Sequence, residues 1–292
     1  MSESGVIHDI GYRHYDGPRL GLGYITRSLF VSSLKGAYGF GRSAKSKVMP
    51  LLLLAAIGVP ALIMAAVLNI TGSDELPVAY TSYVINLSVV VIIFVGGQAP
   101  QMVSRDLRFG SVALYFSRPL TRVAYVQAKF AAMAAAVFIL AAIPLLVLYV
   151  GALLGELAIW PQTRDLLHAL VGAAFLSLLL SGIGLVIAAI TPRRGLGIAA
   201  IVTVLLVASG VHGIVAGIAQ DQGNTTIAGY AGLISPFGIV DGLQVWAFGA
   251  EVATVQEPPG TTGGLVFLAV GLAVIAACVA LLLARYRKVS VS

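Results

Sequence analysis

RDLRFGSVALYFSRPLTR, Arg105 to Arg122, is the stretch on which the reading of this chain turns. Five of its 18 residues are charged, whereas charged residues make up 10% of the whole chain. A long apolar run flanks it on each side. Soluble globular proteins carry roughly 25% charged residues. At 59% hydrophobic, with a mean hydropathy of +0.96, this chain falls in the membrane class instead.

Working outward, six runs contain no Asp, Glu, Lys or Arg: Val48–Ile70, Tyr80–Val103, Phe130–Gly155, Leu166–Pro192, Gly195–Gln220 and Thr261–Ala284. Each reaches the length of about 20 apolar residues that a spanning helix needs. One charge at a helix centre costs about 2.5–3.5 kcal/mol on insertion, so clean runs of this length carry information. They predict an all-α membrane protein with six transmembrane helices, at about 48–70, 80–103, 128–153, 166–190, 196–220 and 262–284. Residues 1–47 form an N-terminal arm and 285–292 a tail, on either side of a six-span domain over 48–284. The first run follows a polar segment and is too long for the apolar part of a signal peptide, so it is expected to remain as a span.

Six spans place both termini on one side. Counted over alternating loops, Lys and Arg collect there: seven in residues 1–47, five from Ser104 to Lys129, Arg193 and Arg194 in the Thr191–Arg194 loop, and Arg285, Arg287 and Lys288 in the tail. Of 18 basic residues, only Arg164 falls on the other face. Basic loops stay inside, so both termini and the quoted stretch are expected in the cytoplasm of a multi-pass plasma-membrane protein. The net charge of +6 is then a topology signal and implies no nucleic-acid partner.

Leu20–Arg42 reads as a helix on the inner leaflet, with Phe30, Val31, Leu34 and Tyr38 on one face and basic residues near lipid headgroups. The alternative is a basic linker. Between the fifth and sixth spans, Gly229–Gly249 is apolar but broken by Gly and Pro, with Asp241 inside it. Short helices or a shallow re-entrant hairpin are expected there. Trp160 and Trp246 suit the outer interface. Small residues recur at four-residue spacing at Ser209, Gly213 and Gly217, and at Gly151 and Gly155; this spacing lets helices approach closely in lipid.

The chain has no G-x-x-x-x-G-K-[ST] loop to cradle nucleotide phosphates and no constellation of catalytic type. Its four His residues lack metal-ligand spacing, so no metal site is expected. His212 is the one strongly ionisable side chain well inside a span, and Asn86, Gln98 and Gln101 are the other notable polar residues in the spans. These four are the candidates for a translocation path; the competing reading is interhelical hydrogen bonding. Ion-coupled carriers usually hold chains of Asp, Glu or His in the membrane. Their scarcity here disfavours a self-powered carrier and points to energy supplied from outside the spans.

In the quoted stretch, Pro119 ends a helix at or before Arg118, and Arg122 to Lys129 lead into the next span. Asp106, Gly110, Leu114, Ser117-Arg118-Pro119, Arg122 and Lys129 resemble the segment between the second and third spans of ABC-2 type transporter permeases. In that family an acid, commonly Glu, opens the segment; here Asp106 stands in its place. Ser235-Pro236-Phe237 before the last span, the six-span plan and the interfacial helix are also similar. The resemblance implies a permease that is not itself an enzyme, working as an exporter of an amphiphilic or apolar substrate such as a lipid, drug, antibiotic or peptide. It implies two copies of a separate ABC ATPase that bind ATP and Mg, while this chain binds no cofactor. A second permease subunit, either another copy or a sister chain, would complete the path among membrane lipids. Asp106, Arg108, Gly110, Leu114, Tyr115, Arg118 and Pro119 would form the main ATPase-coupling element, and Arg193 and Arg194 a minor one. The competing class is a membrane scaffold or assembly subunit without a transport path.

Overall fold

The computed structural model describes residue 17 and residues 20–108, 120–191, 193–254 and 257–287. Among them every regular element is helical: α1 (Leu22–Ala37), α2 (Lys45–Thr71), α3 (Tyr80–Asn86), α4 (Ser88–Arg108), α5 (Arg122–Leu154), α6 (Ile159–Ile190), α7 (Arg194–Asp221), α8 (Thr225–Tyr230), a 3₁₀ turn at Ala231–Ile234, α9 (Pro236–Phe248) and α10 (Gly260–Arg287). Hydrocarbon offers backbone groups no hydrogen-bond partner, so helices that close their own bonds are the expected form. Five of them, α2, α5, α6, α7 and α10, are long and apolar enough to cross a membrane. This is the architecture of a multi-pass membrane protein.

The antiparallel pair α5 and α6 forms the centre. Its turn is tight, with Glu156 in the left-handed region at φ 61°. α2 packs on α5, α4 lies against α6 and α7, and α10 packs against α6 and α9. Phe94, Met133, Leu140, Leu145 and Leu148 are wholly buried between these elements. Gly151 of α5 permits a close approach to α2: a Cβ built there would lie 2.3 Å from the Cβ of Ala65. Asn69 fastens the same crossing, donating from Nδ2 to Ala65 O (2.8 Å) and to Gly151 O (2.9 Å). The Gly151–Gly155 spacing therefore serves packing between α2 and α5. The Gly213 and Gly217 positions on α7 meet no side chain within 4 Å.

Two sequence expectations need correction. The run over 80–103 is not one straight helix. It breaks at Leu87, where α3 and α4 meet at 59°. No Pro or charge marks the spot, and the short polar residues Asn86 and Ser88 flank it. Such side chains compete with helical backbone bonds, a local effect that hydropathy does not register. The N-terminal part, α3, is held from two sides, as Tyr83 donates its hydroxyl to Ile57 O of α2 (2.6 Å) and Tyr80 to Gln162 Oε1 of α6 (2.8 Å). The second correction concerns α1. The helix exists, but its buried stripe is Leu29, Ser33 and Ala37, one position round from the expected face. Phe30 and Leu34 flank that stripe and are partly buried. Tyr38 is buried as expected and donates to Ala136 O of α5 (2.7 Å). Small Ser33 and Ala37 bring α1 down on α5, which apolar counting does not predict.

The interrupted segment after α7 folds as the short helices α8 and α9. Asp241, 2% exposed, accepts from the backbone N–H groups of Ala253 and Thr254 and from the Thr254 hydroxyl, so it ties down the following loop. Trp246 is half-buried against Gly264 of α10, while Trp160 is 76% exposed.

Gly151→Val should overpack the α2–α5 crossing. A loss of about 1–3 kcal/mol is expected, read as a lower melting temperature of the detergent-solubilised chain. Gly213→Val, where nothing is met, should leave that temperature close to the parent value.

Candidate functional site

The ends of α4, α5, α6 and α10 converge at the arginine-rich end of the molecule. The chemistry starts with orphan groups. The last four carbonyls of any α-helix lack intrahelical partners, and α6 finds them elsewhere. Ile187 O accepts from the Thr191 hydroxyl (2.7 Å), Ala188 O from Ser104 Oγ of α4 (2.9 Å) and Ala189 O from Arg285 Nε of α10 (3.3 Å). A cation at a helix C-terminus also suits the helix dipole. Arg122, at the start of α5, in turn donates to Arg287 O of α10 (3.3 Å).

Beside these caps lies an ionic clasp between α4 and α5. Thr121 begins α5, its Oγ1 accepting from Ala124 N (3.1 Å). Tyr125 and Lys129 follow four residues apart and so share a face. Lys129 Nζ sits 3.0 Å from Asp106 Oδ2 and donates to Met102 O at 3.0 Å. The Tyr125 hydroxyl donates to the same Asp106 oxygen (2.8 Å). The ammonium lies 5.5 Å from the Tyr125 ring centre, and the Tyr125 ring meets that of Tyr286 on α10 at 5.1 Å. The Lys129 and Asp106 side chains are 10% and 19% exposed. Charges this sheltered persist only when paired and hydrogen-bonded, and here both conditions hold.

The clasp stands where α4 leads out and α5 leads back in, at the two feet of the stretch that opens the sequence analysis. Of the residues expected to couple to an ATPase, Asp106 is the acid of the clasp. Arg108 is the last residue of α4, and its side chain is outside the described ones. Gly110, Leu114, Tyr115, Arg118 and Pro119 lie outside the described residues, as does the helix expected there. Arg193 and Arg194 are exposed at the start of α7, and Arg194 donates to Gln101 Oε1 (3.1 Å).

Of the four polar residues of the expected path, Gln98 and Gln101 line one recess, and Asn86 and His212 lie away from it. Asn86 is exposed at the bend between α3 and α4. Gln98 and Gln101 lie near the basic end of α4, and Gln101 Nε2 reaches Gly36 O of α1 at 3.5 Å. His212 is buried 18 residues along α7 from Arg194, roughly 27 Å at 1.5 Å per residue. Among the described residues no group of three His, Cys, Asp or Glu is placed to hold a metal ion. Tyr125, Ser104, Arg285 and Tyr286 are the members of the junction that sequence reasoning did not single out. The one visible signal for Tyr125 is its spacing of four from Lys129.

No protein-family model and no curated protein matches the chain.

Removing one partner of a buried ion pair costs about 3–5 kcal/mol. With the residual exposure of this pair, Asp106→Ala or Lys129→Ala should cost about 2–3 kcal/mol of unfolding free energy. The double variant should cost less than the two single losses together, by about 1 kcal/mol or more. Strict additivity in that cycle would show that the two side chains are not coupled.

Proposed function

We propose that this chain is the membrane-spanning subunit of an ABC-2 type exporter, driven by a separate ATPase. The observation that carries the reading is the clasp Asp106–Lys129–Tyr125 at the root of the Arg105–Arg122 stretch. A loop that conveys force must be anchored where it enters the membrane domain. Here its two feet are joined to each other by an ion pair and to α6 and α10 by hydrogen bonds and ring contact. A push on the loop would reach four helix ends together. A purely topological basic anchor needs no such bracing.

In this reading α3 and α4 make one bent crossing, giving six spans with both termini in the cytoplasm of the plasma membrane. The Arg-bearing ends of α4, α5, α7 and α10 then face inward, in accord with the positive-inside rule, with Arg164 of α6 on the other face. The ATPase, in two copies, holds ATP and Mg and seats the loop with Asp106, Arg108, Gly110, Leu114, Tyr115, Arg118 and Pro119; Arg193 adds a lesser contact. A second permease subunit completes the path. The nearly uncharged spans suit an amphiphilic or apolar substrate. His212 and Asn86 lie away from the recess that Gln98 and Gln101 share, so the four form no single proton relay within one chain.

The tagged chain, purified from its native membrane, should bring down a P-loop ATPase whose hydrolysis rises on association. Arg118→Glu should lower that stimulated hydrolysis about tenfold or more, as reversal of an interfacial charge does. Unchanged hydrolysis with intact assembly would overturn the coupling role. In a Cys278→Ala background, an impermeant thiol reagent added to intact cells should modify Asp74→Cys and spare Gly110→Cys; the reverse result would invert the topology.

A further inference from the structure

A recess of about 410 Å³ opens at the basic end between the starts of α2 and α7 and the inner part of α4. Arg42, Lys45 and Arg194 line it with Ser43, Ser46, Gln98 and Gln101, and among the described residues no acid lines it. The backbone adds to this charge. Helix N-termini carry unsatisfied N–H groups and a partial positive charge, and normally recruit acids or capping side chains. Neither helix here does so. α2 begins after Ala44 and α7 after Arg193, both without a side-chain cap, and neither has an acid in its first turn. Lys45 and Arg194 occupy the first helical positions instead, cations placed where the dipole disfavours them.

A second observation is independent of charge. Gln98 is 2% exposed, and its Oε1 is buried without a hydrogen-bond partner. A buried amide acceptor left empty costs about 1–3 kcal/mol. An occupant that brings both an anion and a hydroxyl donor would answer both deficits. The positive-inside rule accounts for basic residues on this side. It does not account for two uncapped helix starts converging on one buried amide.

We propose that this recess is a discrete binding site for one phosphoglycerol lipid headgroup of the membrane leaflet at the basic end. The phosphate lies among Lys45, Arg194, Arg42 and the first-turn N–H groups of α7, and a glycerol hydroxyl donates to Gln98 Oε1. Helix N-termini are ready-made phosphate sites. Met49 and Pro50 also line the recess, next to the apolar length of α2, along which the acyl chains run. The site stands apart from the Asp106–Lys129 clasp and does not depend on the transport reading.

Native mass spectrometry of the full chain in detergent, titrated with dihexanoyl-phosphatidylglycerol, tests this. One lipid should be retained per chain, in preference to dihexanoyl-phosphatidylcholine. Lys45→Gln and Arg194→Gln should each weaken retention roughly fivefold, the loss of one headgroup-facing charge, while Arg164→Gln at the opposite end changes nothing. Gln98→Leu should abolish the preference for phosphatidylglycerol over phosphatidylmethanol, which lacks the hydroxyl. Because Lys45 is exposed, its variant keeps the fold and isolates the charge. Parent-like binding by Lys45→Gln, equal retention of phosphatidylcholine, or displacement of the lipid by equimolar inorganic phosphate would each overturn the assignment.

Discussion

The rest of this structure depends on a carboxylate and an ammonium that share a sheltered corner. Asp106 lies in the last turn of α4 and Lys129 opens the apolar part of α5, and burying either charge without the other would be costly. In lipid, helices gain little hydrophobic free energy by touching one another, so packing and polar bonds decide their arrangement. The pair therefore does more than a surface bridge of equal length would. It fixes the order of α4 and α5, and the Tyr125 ring passes that order on to α10 through Tyr286. The carbonyl caps on α6 complete the corner. Four helices that share little sequence pattern are thus held by a few polar groups at one end, while their apolar lengths rest on close-packed small residues.

Much of the plan was legible from hydropathy and charge, and the reasons for success and failure are physical. A charge-free run of 24 residues such as Tyr80–Val103 announces its length and burial without its straightness, because breaking a helix at Leu87 needs only short polar neighbours and a tertiary clamp. The α2–α5 crossing was half visible: Gly151 and Gly155 advertise close approach, whereas Ala65 and Asn69 give no hint of being the partners. Asp106 and Lys129 stood out as charged residues at span boundaries, but their union with Tyr125 is a three-dimensional fact. α1 misled by one position, since its packing face is set by small Ser33 and Ala37 and not by its largest side chains.

The candidate path residues teach the same lesson in reverse. Polar side chains in apolar runs invite assembly into one site, and in this chain only two of the four share one. Gln98 and Gln101 line the basic recess, where Gln101 bridges α1 and α7, while Asn86 marks a bend and His212 lies in the far half of α7. Polar groups in membrane helices most readily serve neighbouring helices, and the half-buried Gln101 does so.

The 59° bend at Leu87 has a mechanical corollary. Asp106 lies 19 residues beyond it, a radius of about 28 Å at the helical rise. Pivoting α4 about the bend by about 10° would sweep the carboxylate through about 5 Å, close to the pitch of one helical turn. Salt-bridge contact does not survive such a sweep. Swinging that arm and unlatching its far end are therefore one event, and α3, pinned by Tyr80 and Tyr83, would stay behind as the fulcrum.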